Sequence, residues 1–450
     1  MELWKSILKV FTANIIQLIT NVVVTFFVPL VVSVNNYALI RTYTLYIGYI
    51  AFFSFGFYEG IYLKYGGKNK QELSPAVVRS EYKIFGILQM IVSIVGLAIS
   101  LLLQNNVLFF AALAILPANL FTYFKRLYLA VGDFDCYKKG MCINAIVYMI
   151  FNCVLALLFR VDNAIPYYMC SIVADFSAMA FSIFYLKKAF ATDIPVRADT
   201  TLLVENVKMG WLILLGNLVV NSVYSIDKWF VKFFFNDTSF AYYSFAVSLL
   251  NIVMVLVQSV ALSLYNFLAK GKSVEQVKLV KLPLLCVGAL SSGGFYILYY
   301  IIHWILPKYV PSLDIIQISF ASYPYMIVIN SVFINLYKAE KKNIKYIKSV
   351  AFMFILYIIC GGTALFLWKD TRSIAFASTI SFVIWYIYCQ RDFRKQYINK
   401  CEFCYLIMMM VSFFVLNQYE NKILSFGIYI FIWLICSVIF YLINRKNKES

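Results

Sequence analysis

Apolar residues in this chain fall in long unbroken runs, not in the alternation of strands or the single stripe of a soluble surface helix. Residues 10–34 are almost wholly apolar, interrupted by Asn14, Gln17 and Asn21, and runs of similar length recur to the carboxyl end. At 1.5 Å per residue, about 20 residues cross the hydrocarbon of a bilayer. The runs therefore predict crossings at 10–34, 38–62, 84–103, 107–130, 141–160, 166–187, 209–233, 240–268, 279–305, 312–337, 346–367, 371–389, 402–418 and 423–443. A membrane barrel would show short in–out alternating segments instead. The expected fold class is an all-α polytopic membrane protein of about fourteen transmembrane helices.

Composition agrees with this reading. The hydrophobic fraction is 63%, the mean hydropathy +0.80 and the charged fraction 13%, about half that of a soluble domain. The net charge of +18 does not indicate nucleic acid, because the basic residues sit in the short links between runs. With the amino end in the cytoplasm and the sides alternating, only Arg41, Arg160, Lys228, Lys232, Lys308, Lys369, Arg372 and Lys422 fall outside; the other thirty-one of the 39 fall inside. That bias follows the positive-inside rule link by link and places both termini in the cytoplasm. Lys5 and Lys9 precede the first run without a small-residue cleavage site after it, so it reads as an uncleaved span.

The links leave no room for an extramembrane domain. The longest are 64–83 and 188–208. The second, with Asp193, Pro195, Arg197, Asp199, Glu205 and Lys208 among apolar residues, has the makeup of an interfacial segment. It lies where two six-helix halves would be joined, so the expected organisation is a first half at 1–190, a connector at 191–208, a second half at 209–390 and two further helices with a tail at 391–450. Two such halves around a central cavity are a general transporter plan.

Polar residues inside the runs are the functional candidates, since an ionisable group in hydrocarbon is costly. Lys228 and Lys232 are four apart and share a helix face; they either attract a phosphate or pyrophosphate or snorkel to headgroups. Asp227, adjacent to Lys228, points elsewhere. Arg41 is an interfacial anchor or a two-pronged phosphate contact. Glu59 reads as a substrate group or as the partner of Lys64, closing the cytoplasmic side; Gly56 and Gly60 beside it leave room for a close helix neighbour. Asp175, mid-span, must meet a partner from another helix, reach cavity water or stay protonated, and serves either a buried hydrogen bond or proton or cation coupling. Asn14, Gln17 and Asn21 share one face of the first span, and Asn217 and Asn221 one face of the seventh; these amides line a sugar-sized cavity or hold helices together.

The remaining chemistry is sparse. Most of the ten cysteines lie in apolar runs, the Cys401–Cys404 pair has no second pair, and His303 stands alone beside Trp304. Asn236-Asp237-Thr238 is a weak glycosylation pattern. No P-loop, catalytic triad or metal-ligand cluster is legible, so the reading is a non-enzymatic transporter with no cofactor.

The stretch from Arg41 to Gly67, RTYTLYIGYIAFFSFGFYEGIYLKYGG, resembles the second span and following loop of bacterial polysaccharide biosynthesis proteins. These are lipid-linked oligosaccharide flippases of the multidrug/oligosaccharidyl-lipid/polysaccharide exporter (MOP) superfamily. Asp227-Lys228-Trp229 resembles their acid–base–hydrophobic element, and the fourteen-span layout extends the likeness over nearly the whole chain. The resemblance implies a flippase of the bacterial cytoplasmic membrane. Its cargo would be undecaprenyl-pyrophosphate-linked repeat units of O antigen or capsule, moved outward by alternating access. It implies a proton or sodium as coupling ion and a downstream polysaccharide polymerase as partner. Carried over, Arg41, Lys228 and Lys232 would hold the pyrophosphate, Glu59 falls where the family often has an acid, and Gly66 and Gly67 match loop glycines. The rival is an ion-coupled multidrug exporter of similar fold. A membrane glycosyltransferase would carry a large outer loop, which is lacking here.

Overall fold

The computed structural model describes residues 2–191, 197–268, 274–393 and 400–449. Every element among them is helical. Residues 192–196 of the expected connector lie outside the described residues.

The chain is a multi-pass membrane protein. Among the described residues eleven helices are long and apolar enough to cross a bilayer, thirteen crossings if each of two bent helix pairs is one span, and Cys401–Leu416 is a shorter apolar helix. Their order is that of the apolar runs. The elements are α1 (Glu2–Val31), α2 (Val34–Ile47), α3 (Phe57–Tyr65), α4 (Pro75–Leu102), α5 (Asn106–Ala130), α6 (Phe134–Cys153), α7 (Ala164–Ala189), α8 (Thr200–Val223), α9 (Ile226–Phe234) and α10 (Asp237–Leu268). There follow α11 (Val274–Ser292), α12 (Gly294–Ile305), α13 (Leu313–Phe320), α14 (Tyr323–Val328), α15 (Ile334–Ala339), α16 (Asn343–Leu367), α17 (Thr371–Asp392), α18 (Lys400–Leu416) and α19 (Lys422–Glu449). Short polar links supply the caps: Asn105, Asp133, Asn163 and Asp370 each accept a first-turn N–H of the helix they precede, satisfying donors that hydrocarbon cannot.

Two crossings are broken. The second bends by 60° between Val34–Ser54 and Phe57–Tyr65, where Phe55 and Gly56 take positive φ of 53° and 85°. The tenth bends by 51° between Pro307–Phe320 and Tyr323–Ala339, ahead of Pro324 and a π-turn at Ile329–Phe333. The seventh departs from expectation. A run at 209–233 is replaced by α8, which starts at Thr200, and by a separate short α9; the chain turns at Tyr224 and Ser225. Residues 200–208, expected at the interface, are the first turns of α8.

Contacts divide the chain into two units, Met1–Ser222 and Val223–Ser450. The first packs α5 against α3, α4 and α7, and α6 against α1 and α7. Its core is aromatic, with Phe57 stacked on Phe85 at 4.6 Å between ring centroids and Tyr123, Phe124 and Leu127 closing around them. The second unit packs α16 on α17, α11 on α14, and α10 and α17 on α13. There α19 docks on α11 through Tyr429, donating to the Ala289 carbonyl at 2.6 Å, and Trp433, donating to that of Cys286 at 2.8 Å.

Candidate functional site

In the first unit, the bend after Ser54 brings α3 against α8 with their backbones touching. A Cβ on Gly60 would overlap the Asn206 carbonyl, and one on Gly210 would overlap the Gly56 carbonyl. This is the close helix neighbour that Gly56 and Gly60 allow, and small residues on both faces make it feasible. Polar groups line the same seam. Glu59 Oε1 accepts from Arg126 at 3.0 Å and from the Asn217 amide at 2.9 Å. Lys64 pairs with Glu81 at 3.0 Å and Glu205 at 3.2 Å; Glu81 also accepts from Tyr65 at 2.8 Å and Asn206 at 3.1 Å. Asn221 donates to the Gly48 carbonyl at 3.0 Å. The expected Glu59–Lys64 pair is therefore not formed. Five positions on a helix separate two side chains by about 140°, so each turns to a different neighbour. Asn217 and Asn221 share a face, and that face binds the broken span.

Arg41 lies on α2, half-buried at a cavity of about 150 Å³ lined by Tyr37, Tyr43, Tyr148, Tyr167, Asn152 and Ser171, with apolar residues between them. Its Nε donates to the Tyr37 hydroxyl at 2.6 Å, and its guanidinium lies 4.7 Å from the Tyr37 ring centroid. The Tyr43 hydroxyl and Ser171 lie 2.6 Å apart. One turn along α7 from Ser171, Asp175 accepts from the Asn144 amide of α6 at 2.8 Å. The charge of Lys125, whose ammonium sits over the Phe121 ring at 4.8 Å, reaches Asp175 from α5. On α1, Gln17 donates to Asn21 at 3.5 Å, so these two share the expected face; Asn14, one turn earlier, is half-buried.

At the end of α5, Asp133 joins Tyr185 (2.9 Å), Lys70 (3.3 Å) and the Cys136 N–H (3.2 Å). Burial pushes its carboxyl up, but the Tyr185 and Cys136 hydrogen bonds and the Lys70 charge outweigh that and hold it below the usual carboxylate range.

In the second unit, Asp227 is buried on α9 beside a cavity of about 30 Å³, room for a water-sized body, lined also by Tyr224, Asn251, Ser319, Ser322 and Ser378. Its carboxylate accepts from Tyr243 at 3.2 Å and from the Lys228 N–H at 2.8 Å. Lys228 is half-buried on the same helix. Lys232 pairs with Asp237 at 2.6 Å, and its ammonium lies 5.3 Å from the Phe240 ring centroid. Its charge is thus already matched by a neighbour five residues on.

Sequence reading also missed a buried ionic pair in the second unit. The Lys281 ammonium lies 2.7 Å from Oε1 and 2.8 Å from Oε2 of Glu402, with Gln390 donating to Oε1 at 3.2 Å; both ionic side chains are almost completely buried. Lys281 counts among the link charges that set topology, and Glu402 is masked by Cys401 and Cys404, both free thiols. Arg126 and Glu81 were missed for the same reason: they lie at helix ends, where a charge needs no partner.

No family model matches the chain, and no curated protein matches it in sequence. Solved structures do. A lipid II flippase, MurJ, in an inward closed conformation superposes with a TM-score of 0.72 at 13% identity, covering 98% of this chain and 99% of that one. The chain shares that fold. An inward-facing multidrug resistance MATE family transporter of the MOP superfamily gives 0.56 at 11% identity over 85% of this chain and 95% of its own. A MATE protein in complex with Br-NRF gives 0.51 at 10% identity over 87% and 96%. Transporters of two kinds thus share the fold.

Proposed function

We propose that the chain is a flippase that carries an undecaprenyl-pyrophosphate-linked oligosaccharide from the inner to the outer leaflet of the bacterial cytoplasmic membrane, with both termini cytoplasmic. The observation that carries the reading is the Arg41 cavity. The barrier to flipping such a lipid is the transfer of a diphosphate and sugars through hydrocarbon, while the polyprenyl tail stays in lipid throughout. A guanidinium offers a fork matched to phosphate oxygens. It is held in place here by Tyr37, among tyrosine rings, the Asn152 amide and the Ser171 hydroxyl, which suit sugar faces and hydroxyls. Lys228 is the second candidate for the phosphates; Lys232, matched by Asp237, contributes less. Cargo movement requires no bond making. A proton or sodium gradient would drive it by alternating access, with Asp175 and Asp227 as the carboxylates that exchange the ion, and a polymerase would take the product.

A second reading, an ion-coupled exporter of organic cations, is favoured by Asp227: an acid among hydroxyls and the Asn251 amide suits a cation better than a phosphate. The two readings separate in proteoliposomes loaded with fluorescent undecaprenyl-pyrophosphate oligosaccharide. Leaflet transfer by the wild type, lost in folded Arg41→Ala and partly kept in Arg41→Lys, supports the flippase. Absence of lipid transfer under any imposed gradient, together with efflux of organic cations that Asp227→Asn abolishes, supports the exporter.

A further inference from the structure

The α16–α17 hairpin of the second unit opens a groove of about 610 Å³ that the transport reading does not use. Its size is that of ligand pockets, which run about 300–1,000 Å³. Cys360, Thr363 and Ala364 of α16 face Phe376, Ala377 and Ile380 of α17 across it. The spacings of three and four place each set on one helix face. Ala364 and Ala377 form a buried floor, and the small side chains keep the helices from filling the space; Thr363, Phe376 and Ile380 are exposed walls. From Arg372 to Ile380 the groove runs about 12 Å along the helix at 1.5 Å per residue. In a bilayer, such an apolar trough is covered by an acyl chain.

The mouth is different in kind. Trp368, 68% exposed, marks the headgroup level, where tryptophan concentrates. Beside it, the Arg372 guanidinium lies 3.1 Å from Asp314 and 3.6 Å from Asp370, all three side chains at least half exposed. Lys369, exposed at the turn, brings the mouth to two cations and two carboxylates. A site of no net charge with separated poles repels part of an anionic headgroup but complements a zwitterion. The phosphate would take Arg372 by charge-assisted hydrogen bonds, and a primary ammonium would donate to Asp314 and Asp370. A quaternary ammonium has no N–H to donate there.

From this juxtaposition we infer that the α16–α17 groove binds one diacyl phospholipid with a phosphoethanolamine headgroup, its chain on the Ala364–Ala377 floor and its headgroup at Arg372, Asp314 and Asp370. The site is independent of the cargo.

The test uses the full chain, delipidated in detergent and titrated by native mass spectrometry. The probes are phosphatidylethanolamine, phosphatidylcholine and phosphatidylglycerol of identical acyl chains. Phosphatidylethanolamine binds best, and Arg372→Ala weakens it about tenfold, the loss of one charged hydrogen-bonded contact. Thr363→Trp, placing a ring in the groove from an exposed position, removes the tight class altogether. Arg372→Lys, which keeps the charge, retains part of the affinity and serves if the alanine variant is unstable. Equal binding of the three lipids, a preference for phosphatidylglycerol, or retention unchanged in Arg372→Ala and Thr363→Trp would each overturn the proposal. So would a polyprenyl phosphate that occupies the groove and resists displacement by phosphatidylethanolamine; that result would assign the groove to a cargo tail.

Discussion

The buried Lys281–Glu402 pair offers the sharpest energetic prediction. At a separation of 2.7 Å and an effective dielectric of ~20, the attraction is roughly 6 kcal/mol. Desolvating two ions costs several kcal/mol each, so the net worth of the pair is near zero, while leaving one partner alone costs about 3–5 kcal/mol. Lys281→Met strands the Glu402 carboxylate, to which the Gln390 amide still donates. Glu402→Gln strands an ammonium that still lies 5.2 Å and 5.4 Å from the Phe333 and Tyr386 ring centroids, so it loses less. The double variant removes both charges and is expected within about 1 kcal/mol of the wild type. Thermal unfolding of purified protein in detergent reads this out. At about 2–4 °C per kcal/mol for a unit of this size, Lys281→Met lowers the midpoint by roughly 6–20 °C, and the double variant restores most of it. Additive losses, with the double variant worse than either single one, would refute the reasoning and show that the helix contact, not the charge pairing, holds α18 to α11.

Three further expectations follow from named contacts. Gly210→Ala forces α8 off α3 and costs about 1–3 kcal/mol by overpacking; Gly216→Ala, where a Cβ meets nothing within 4 Å, is neutral or stabilising, and equal midpoints for the two would contradict the backbone contact. Asp133, held below the usual carboxylate range, contributes stability that is fully present above the ordinary carboxylate pKa. That contribution is lost as pH falls through its depressed value, so Asp133→Asn flattens the acid limb of the unfolding midpoint against pH, and an unchanged profile would count against it. Single cysteines at Asn69 and Ser373 should label from opposite sides of the membrane, the first from the cytoplasm; labelling from one side would break the orientation inferred from Lys and Arg.

The length of each apolar run and the placement of its flanking charges were decided by the sequence itself. Hydrocarbon thickness and unpaired backbone groups permit few alternatives, so an all-α multi-pass chain could be read from local composition. The glycines at 56 and 60 announced a close contact for a similarly local reason: only missing side chains let two backbones touch. Partner choice was not local. Glu59 lay near Lys64 in sequence, yet the helix turned them apart, and Arg126 and Asn217 arrived from other helices. Lys228 and Lys232 shared a predicted face, but Asp237, placed by the turn after α9, took the second. The break at Tyr224 and Ser225 was hidden because apolar residues continue across it. Charges at span ends look alike whether they meet water or one another. Only the packing of distant helices, α11 on α18 and α3 on α8, determined which of them became buried pairs.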